Sequence, residues 1–289
     1  MTELIRKKIL SINNVDDTPN ISLTISNDIP PIVYNQEMLD ILNKYKEMIN
    51  QVEHIRIWDF CKKLSNNYEI LHHYIKNKSS NLGIANHDPI SRSFFKFWEL
   101  SIDLDLINKN QKNIVYGAIA EGPGGFIESF NFYRRKFCNN SDDTIYCMTL
   151  KSDSDEIPGW KNSSKLFREN KNINVCWGKD KTGNIYNVDN IKDFSENFYQ
   201  KKADLVTADG GFDFSNDYCN QEINAIRLIL SEIVTAFSIL KEGGHFIIKV
   251  YDIFHNITID LIYILSIHFE SVNIVKPHTS RTANSEKYI

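Results

Sequence analysis

The stretch Ile114-Val-Tyr-Gly-Ala-Ile-Ala-Glu-Gly-Pro-Gly-Gly-Phe126 reads as a short apolar strand, Ile114–Ala118, running into a glycine-rich turn that opens a helix toward Phe137. Glycines at such a turn let the chain bend sharply and bring backbone N–H groups close to a ligand at the positive end of a helix. The spacing is not the Gly-x-Gly-x-x-Gly of dinucleotide-binding turns, which argues against a pyrophosphate ligand; taken alone, Gly122-Pro-Gly-Gly125 reads equally well as a plain Pro-Gly turn. Outward from it, short apolar runs alternate with longer helical ones. Thr144–Leu150, Ile173–Trp177, Ala203–Thr207, His245–Tyr251 and Ser271–Val275 are candidate strands. The longest helix is predicted from Gln221 to Leu240, with Asn220 as N-cap and Gly243-Gly244 as its stop. Its apolar face would be Ile223, Ile226, Leu230, Ile233, Val234 and Phe237. Alternation of this kind, with a glycine turn after the first strand, predicts an α/β fold: a Rossmann-like, doubly wound, mostly parallel sheet.

Residues 1–85 lack that alternation and are expected to form an N-terminal extension, largely helical from about 36, ahead of a main domain spanning 86–289. Pro30-Pro31 excludes a helix across that point. From Gln36 onward, Leu39, Leu42, Tyr45, Ile49, Val52 and Ile55 recur at threes and fours, the period of one amphipathic helix. A second helical pattern runs through Trp58, Phe60, Leu64 and Leu71, and the polar run Asn77-Lys-Ser-Ser-Asn-Leu-Gly83 reads as a linker. His72-His73 has no carboxylate or cysteine partner in sequence, so no metal site is expected.

A chain of 289 residues with 42% hydrophobic and 24% charged residues has the composition of a globular protein able to bury a large core. Its net charge of −4 lacks the overall basic footprint of a non-specific nucleic-acid binder, yet leaves room for a local basic groove. Five scattered cysteines without a Cys-x-x-Cys pair suit an intracellular, reducing compartment, cytoplasm or nucleus. The N-terminus shows no secretory pattern, and the most apolar late stretch, Ile257 to Phe269, is broken by Asp260 and His268 and too short to cross a bilayer. No membrane association is expected, and nothing indicates a protein partner. The lean toward Asn, Ile and Lys suits an AT-rich genome such as that of a large DNA virus, in which case the compartment is the host cytoplasm.

Four further segments carry chemistry: Ser91-Arg-Ser-Phe-Phe-Lys96, Ala208-Asp209-Gly-Gly211, Phe246-Ile-Ile-Lys249 and Ser280-Arg-Thr-Ala-Asn-Ser-Glu286. Lys249 and Asp209 end predicted strands, the edge at which doubly wound sheets bind ligands, although Asp209-Gly-Gly also fits a hairpin turn. Together with the glycine turn, these segments resemble the FtsJ-like RNA 2′-O-methyltransferases, class I S-adenosylmethionine (SAM) enzymes, and within them the messenger-RNA cap-ribose branch. The resemblance covers Ser91 to Ile289. It implies a Lys96-Asp209-Lys249-Glu286 tetrad that transfers a methyl group to a ribose 2′-hydroxyl, with the cap-proximal nucleotide of mRNA as the expected substrate. Ribosomal RNA methylation and a catalytically silent SAM- or RNA-binding subunit are the alternatives.

The tetrad must align oxygen, methyl carbon and sulfur and manage one proton. Lys249 would take or steer that proton, its pKa depressed by burial beside Lys96. Asp209 would orient Lys249 and border the cofactor, and Glu286 would hold Lys96. The resemblance further implies that Gly122, Pro123, Gly124, Gly125 and Phe126 seat the methionine end of SAM, that Asp180 contacts its adenine, and that Ser280, Arg281 and Asn284 meet RNA. Departures are Asn184, where similar sequences carry a second Asp, and Thr282, where they often carry Pro. The second strand leads into Leu150-Lys-Ser152, with Asp153 and Asp155 following, in place of the usual ribose-binding acid. Pro158-Gly-Trp160 reads either as a turn with a packed indole or as an aromatic surface for a base. Three residues follow Glu286, so only the start of the family's seventh strand is expected, from a shortened chain or an incomplete sequence.

Overall fold

The strand Val115–Ile119 (β2) is buried along its whole length. Val115 and Ile119 enter one hydrophobic layer, Tyr116 and Ala118 the other, as a strand covered on both faces requires. The computed structural model describes residues 5–9, 32–52, 54–71, 85–138, 141–151, 154, 157–211 and 217–289. After β2 come helix α4 (Gly125–Phe137), β3 (Thr144–Met148), α5 (Ser164–Glu169), β4 (Ile173–Cys176), α6 (Val188–Glu196), β5 (Ala203–Ala208), α7 (Gln221–Ile239), β6 (Leu240–Val250), α8 (Asn256–His268), β7 (Val272–Lys276) and β8 (Lys287–Tyr288). Ahead of them lie β1 (Ile5–Ile9), α1 (Gln36–Glu47), α2 (Arg56–Leu64) and α3 (Ser93–Asp103).

The sheet has the order β1-β7-β8-β6-β5-β2-β3-β4. β4, β3, β2, β5 and β6 are mutually parallel, and β8 runs antiparallel between β6 and β7. The chain winds outward from β2 to β4, returns to β5 beside β2 and winds the other way. The crevice between β2 and β5 at their carboxyl ends is therefore the topological switch point at which such sheets hold ligands. One layer of the core joins α6, α7 and α8 to the sheet through Phe194, Ile229, Ile233 and Leu265. The other joins α3 and α4 through Phe97, Phe126, Phe130 and Tyr133.

The doubly wound sheet expected from the sequence is present, and the expected start of a seventh strand is β8, two residues long. Several details differ. Residues 5–9 add an antiparallel strand to the outer edge of β7, which the sequence reading did not foresee. α7 ends at Ile239, where Leu240 turns extended, so Gly243 and Gly244 lie inside β6 instead of stopping the helix. Its buried face is also rotated: Ala225, Ile229, Ile233, Ala236 and Ile239 point inward with Glu222 and Glu232, leaving Val234 and Phe237 exposed. Asn220 stands at the N-cap position, but its side-chain amide donates to Asp217 and makes no cap bond. The long periodicity from Leu39 to Ile55 is split, because α1 ends at Glu47 and a 3₁₀ turn, Met48–Gln51, follows. Pro30-Pro31, His72-His73, residues 77–83, Asp153 and Asp155 lie outside the described residues.

Two anchors tie the early helices to the sheet. Val33 bridges His255, the Tyr34 N–H donates to the Phe254 carbonyl (3.0 Å), and Lys46 of α1 pairs with Asp252 at 2.6 Å. The second anchor is Glu69, described with the site below. Among the described residues, no helix is long and apolar enough to cross a membrane.

The N-terminus of α8 is capped from α7, not from its own N-cap His255. The buried Glu222 carboxylate accepts the N–H groups of Phe254 and His255 (2.9 Å each) and the Thr258 hydroxyl (2.6 Å). Replacing it removes one partner and strands several buried donors, the costly way to lose a hydrogen bond. Glu222→Ala is expected to lower stability by about 2–4 kcal/mol, read from the midpoint of urea unfolding.

Candidate active site

Antiparallel return of the chain through β8 decides what meets at the carboxyl edge. Tyr288 pairs with Lys249, and Lys287 with Val250, so Glu286, just before β8, arrives beside the end of β6. Lys96, on the first turns of α3, meets it there: its Nζ lies 2.7 and 2.8 Å from the two Glu286 oxygens. The Ser280 hydroxyl donates to the same carboxylate at 2.9 Å. Lys249 Nζ lies 3.3 Å from Asp209 Oδ1 and donates to the Asp209 carbonyl at 2.8 Å. The Tyr288 hydroxyl donates to Asp209 Oδ1 at 2.9 Å. All four charged side chains are 11–13% exposed, sunk into the crevice but open at its mouth.

Burial alone would raise the Glu286 pKa, but Lys96 and Lys249, with the hydrogen bonds from Lys96 and Ser280, bring it down to about 2. Lys249 departs from the sequence expectation. Burial does push its pKa down, yet Asp209 foremost, then Tyr251, Glu286 and Glu232, hold it above the ordinary lysine range. Carboxylates, not the second cation, dominate its surroundings. Lys249 is an ammonium in this arrangement.

Deeper in the crevice sit groups that the sequence reading passed over. Glu121, directly before the glycine turn, is buried; its Oε1 accepts the Phe126 N–H (2.9 Å) and its Oε2 the Thr207 hydroxyl (3.4 Å). Burial, and next the Asp209 charge, push its pKa well above the carboxylate range. Gly211 packs so closely that an added Cβ would lie 2.7 Å from the Tyr251 hydroxyl and 3.0 Å from Lys249 Nζ. Asp209-Gly-Gly is thus a tight passage beside the lysine, not a hairpin turn.

The glycine turn is shaped by close approach. Gly124 has φ +104° and forms the N-cap position of α4. A Cβ at Gly122 would meet the Gly159 carbonyl, and one at Gly125 the hydroxyls of Ser91 and Ser93. Pro123 accepts the Ser163 hydroxyl at its carbonyl (2.7 Å). The Phe126 ring is fully buried against Phe97 and Tyr288, so only its backbone lies at the turn. Trp160 packs edge-on to Phe167, and its buried indole N–H has no hydrogen-bond partner among the described residues. Asp180 follows β4 in a loop that folds back on the end of β3, where Lys151 N–H donates to the Thr182 carbonyl (2.7 Å). Its carboxylate accepts Thr182, Asn187 and Asn190 donors, which hold its pKa well below the usual range. Asn184 completes the loop by accepting the Tyr186 N–H.

The three residues expected to meet RNA are engaged within the protein. Ser280 is buried on Glu286, and Asn284 accepts from Lys276 through its side-chain oxygen and its carbonyl. Arg281 and Arg92 converge on one carboxylate, Glu69, each at 2.9 Å. Thus residues 68 and 69, after α2, are tied to the start of α3 and to the loop after β7, reinforced by a Tyr68–His278 ring stack at 5.2 Å. Glu99 of α3 holds the same loop by accepting the N–H groups of His278 (2.6 Å) and Thr279 (2.9 Å).

The family model described as FtsJ-like methyltransferase matches residues 89–289. The cap-specific mRNA (nucleoside-2′-O-)-methyltransferase 1 of Dictyostelium discoideum is 31% identical over 268 residues, covering 88% of this chain and 34% of that protein. The Homo sapiens protein of the same name is 32% identical, covering 78% and 27%. An inactive cap-specific mRNA (nucleoside-2′-O-)-methyltransferase 1B of Caenorhabditis briggsae is 30% identical, covering 63% and 21%. The chain spans about a third, or less, of the length of these curated relatives. A solved Plasmodium falciparum structure is similar at TM-score 0.47 and 24% identity, over 68% of this chain and 94% of that one.

The Glu286 shift has a consequence for stability that can be measured. A carboxyl whose folded pKa is about 2, against about 4.3 when unfolded, contributes stability fully present above pH 4.3 and lost as pH falls through 2. Thermal melts from pH 6 to 2 are expected to show this slope in the native protein and a shallower one in Glu286→Gln, whatever that variant's stability at neutral pH.

Proposed function

The chain belongs to the FtsJ-like methyltransferase family, and from that membership we propose that it methylates a ribose 2′-hydroxyl of RNA, using SAM, at the cap-proximal nucleotide of messenger RNA. The observation that carries the proposal is the meeting of Lys249–Asp209 and Lys96–Glu286 at the switch-point crevice. Relatives about 31–32% identical and named as cap-specific methyltransferases support the cap over ribosomal RNA.

The glycine turn fits the amino-acid end of SAM. Its glycines leave no room for side chains, and the Trp160 N–H beside it, without a partner among the described residues, is a donor suited to a carboxylate. Gly122–Phe126 would hold that end, Asp209 would border it and Asp180 would face the adenine. When bound, SAM supplies an electrophilic methyl group on a sulfonium.

The protein's own residues handle the hydroxyl. As an ammonium, Lys249 can hold the 2′-oxygen by hydrogen bond and stabilise the negative charge that grows on it, but has no lone pair for its proton. Positive charge brought into the crevice offsets Asp209 and Glu286 and shifts Lys249 toward the amine that accepts the proton. Lys96, fixed by Glu286, balances the second carboxylate and keeps the site near neutrality. The Arg92–Arg281 clasp supports an RNA ligand: two guanidiniums sharing one carboxylate would exchange it for a phosphodiester, which offers acceptor oxygens in matching geometry.

Lys249→Ala is expected to reduce transfer of labelled methyl to cap-0 RNA by about 10²–10⁴-fold while calorimetric SAM binding persists. Unchanged turnover would reject the tetrad, and preference for ribosomal fragments over capped RNA would reject the cap. One relative bears the name inactive; absence of transfer on any RNA would place this chain with it. Replacing Arg92 and Arg281 together with Ala should raise the KM for RNA and flatten its dependence on log salt by about 1 in slope, with kcat little changed.

A further inference from the structure

Glu232 lies midway along α7, fully buried, directly beneath the crevice. Its Oε1 accepts the Gly210 N–H at 3.1 Å, and its Oε2 has no hydrogen-bond partner among the described residues. A Cβ at Gly210 would overlap that first oxygen and lie 3.0 Å from both the Ala120 methyl and Leu228. The carboxyl is therefore wedged against the ends of β5 and β2, where the sheet changes winding direction. The next residue, Gly211, presses on the opposite side against Lys249 and Tyr251. Between them the Asp209–Gly211 turn is clamped: Glu232 below, Lys249 above.

A fully buried acid with an oxygen that meets no partner among the described residues is a costly residue, and an apolar side chain of the same volume would serve packing better. Such groups concentrate where a site needs them. We propose that Glu232 is a positioning residue for the transfer step, bracing the Asp209–Gly211 turn through the Gly210 N–H and so keeping Asp209 in register with Lys249. The role rests on the methyltransferase reading above. It touches neither SAM nor RNA.

Four groups act on Glu232 or feel its charge: Lys249 of β6, Asp209 after β5, Tyr251 after β6 and Tyr186 ahead of α6. Burial pushes the Glu232 pKa up to about 8, opposed by Lys249 and the Gly210 N–H and reinforced by Asp209. Below pH 8 it is a neutral acid and the two lysines balance Asp209 and Glu286. Above pH 8 a third anion appears, and Lys249 holds its proton harder. The sign follows: ionisation of Glu232 opposes the base form of Lys249 and depresses the alkaline limb of the rate profile.

The test compares Glu232→Gln, whose amide oxygen still accepts from Gly210 and never ionises, with Glu232→Leu. The Gln variant should match native kcat at pH 7 to within a small factor and exceed it above pH 8. The Leu variant should lose about 10²-fold in kcat with its KM for RNA and circular dichroism unchanged. Difference infrared spectra, native minus Gln, should show a protonated carboxyl band that fades as pH passes 8, a reading independent of turnover. Superimposable pH profiles for native and Gln protein, native kcat in the Leu variant, or no carboxyl band at pH 7 would each overturn the role. Lack of transfer by the native protein would instead refute the reading beneath it, and the role with it.

Discussion

Two lysines can occupy one crevice only because two carboxylates accompany them. Lys96 and Lys249 sit at similar depth, and each has an acid within 3.3 Å. Removing charges from water is expensive, and attraction repays that cost only when geometry is good and the remaining lone pairs find donors. Here Ser280 and Tyr288 supply those donors, to Glu286 and Asp209 respectively. The alternating charges therefore fix the surrounding elements: the start of α3, the ends of β5 and β6, and the loop entering β8 must all be in place before any ion pair is complete.

The parts of this arrangement visible in the sequence were those that obey local rules. Asp209 and Lys249 end apolar strand runs, so the winding rule puts them on the same edge without any knowledge of contacts. The glycine turn declares itself by composition. Lys96 and Glu286 carry no such local signal, since a lysine on a helix and a glutamate in a loop are ordinary surface residues, and they stood out only through resemblance of their segments. Glu232 was illegible for a more specific reason. A buried acid on a helix counts as polar in any periodicity argument, and together with Glu222 it rotated the inferred apolar face of α7 toward Val234 and Phe237, which are exposed. Gly243 and Gly244 misled likewise: glycine after a helix usually marks its end, but here the chain passes straight from Ile239 into β6. The direction of the Lys249 shift depended on how many carboxylates surround it, and no spacing rule counts them.

The early helices are part of the site's architecture. α1 reaches Asp252, three residues beyond the end-of-strand lysine, while Glu69 gathers the two arginines flanking the Lys96–Glu286 pair. These contacts grip loops on both sides of the crevice, after β6 and after β7. Loops carry function when a rigid frame positions them, and the frame here is assembled from both ends of the chain.

β8 is two residues long, and alternation along it has a parity. Glu286 and Tyr288 face the charged crevice, while Lys287 between them turns to the Tyr251 carbonyl and Asp252. Because a pleated strand sends neighbouring side chains to opposite faces, a one-residue slip of β8 against β6 and β7 would present Lys287 to Lys96 and Lys249 in place of an acid. Of the two registers open to so short a strand, only the one observed sets an acid between the lysines, so charge selects a pairing that two residues of backbone hydrogen bonding could not enforce alone.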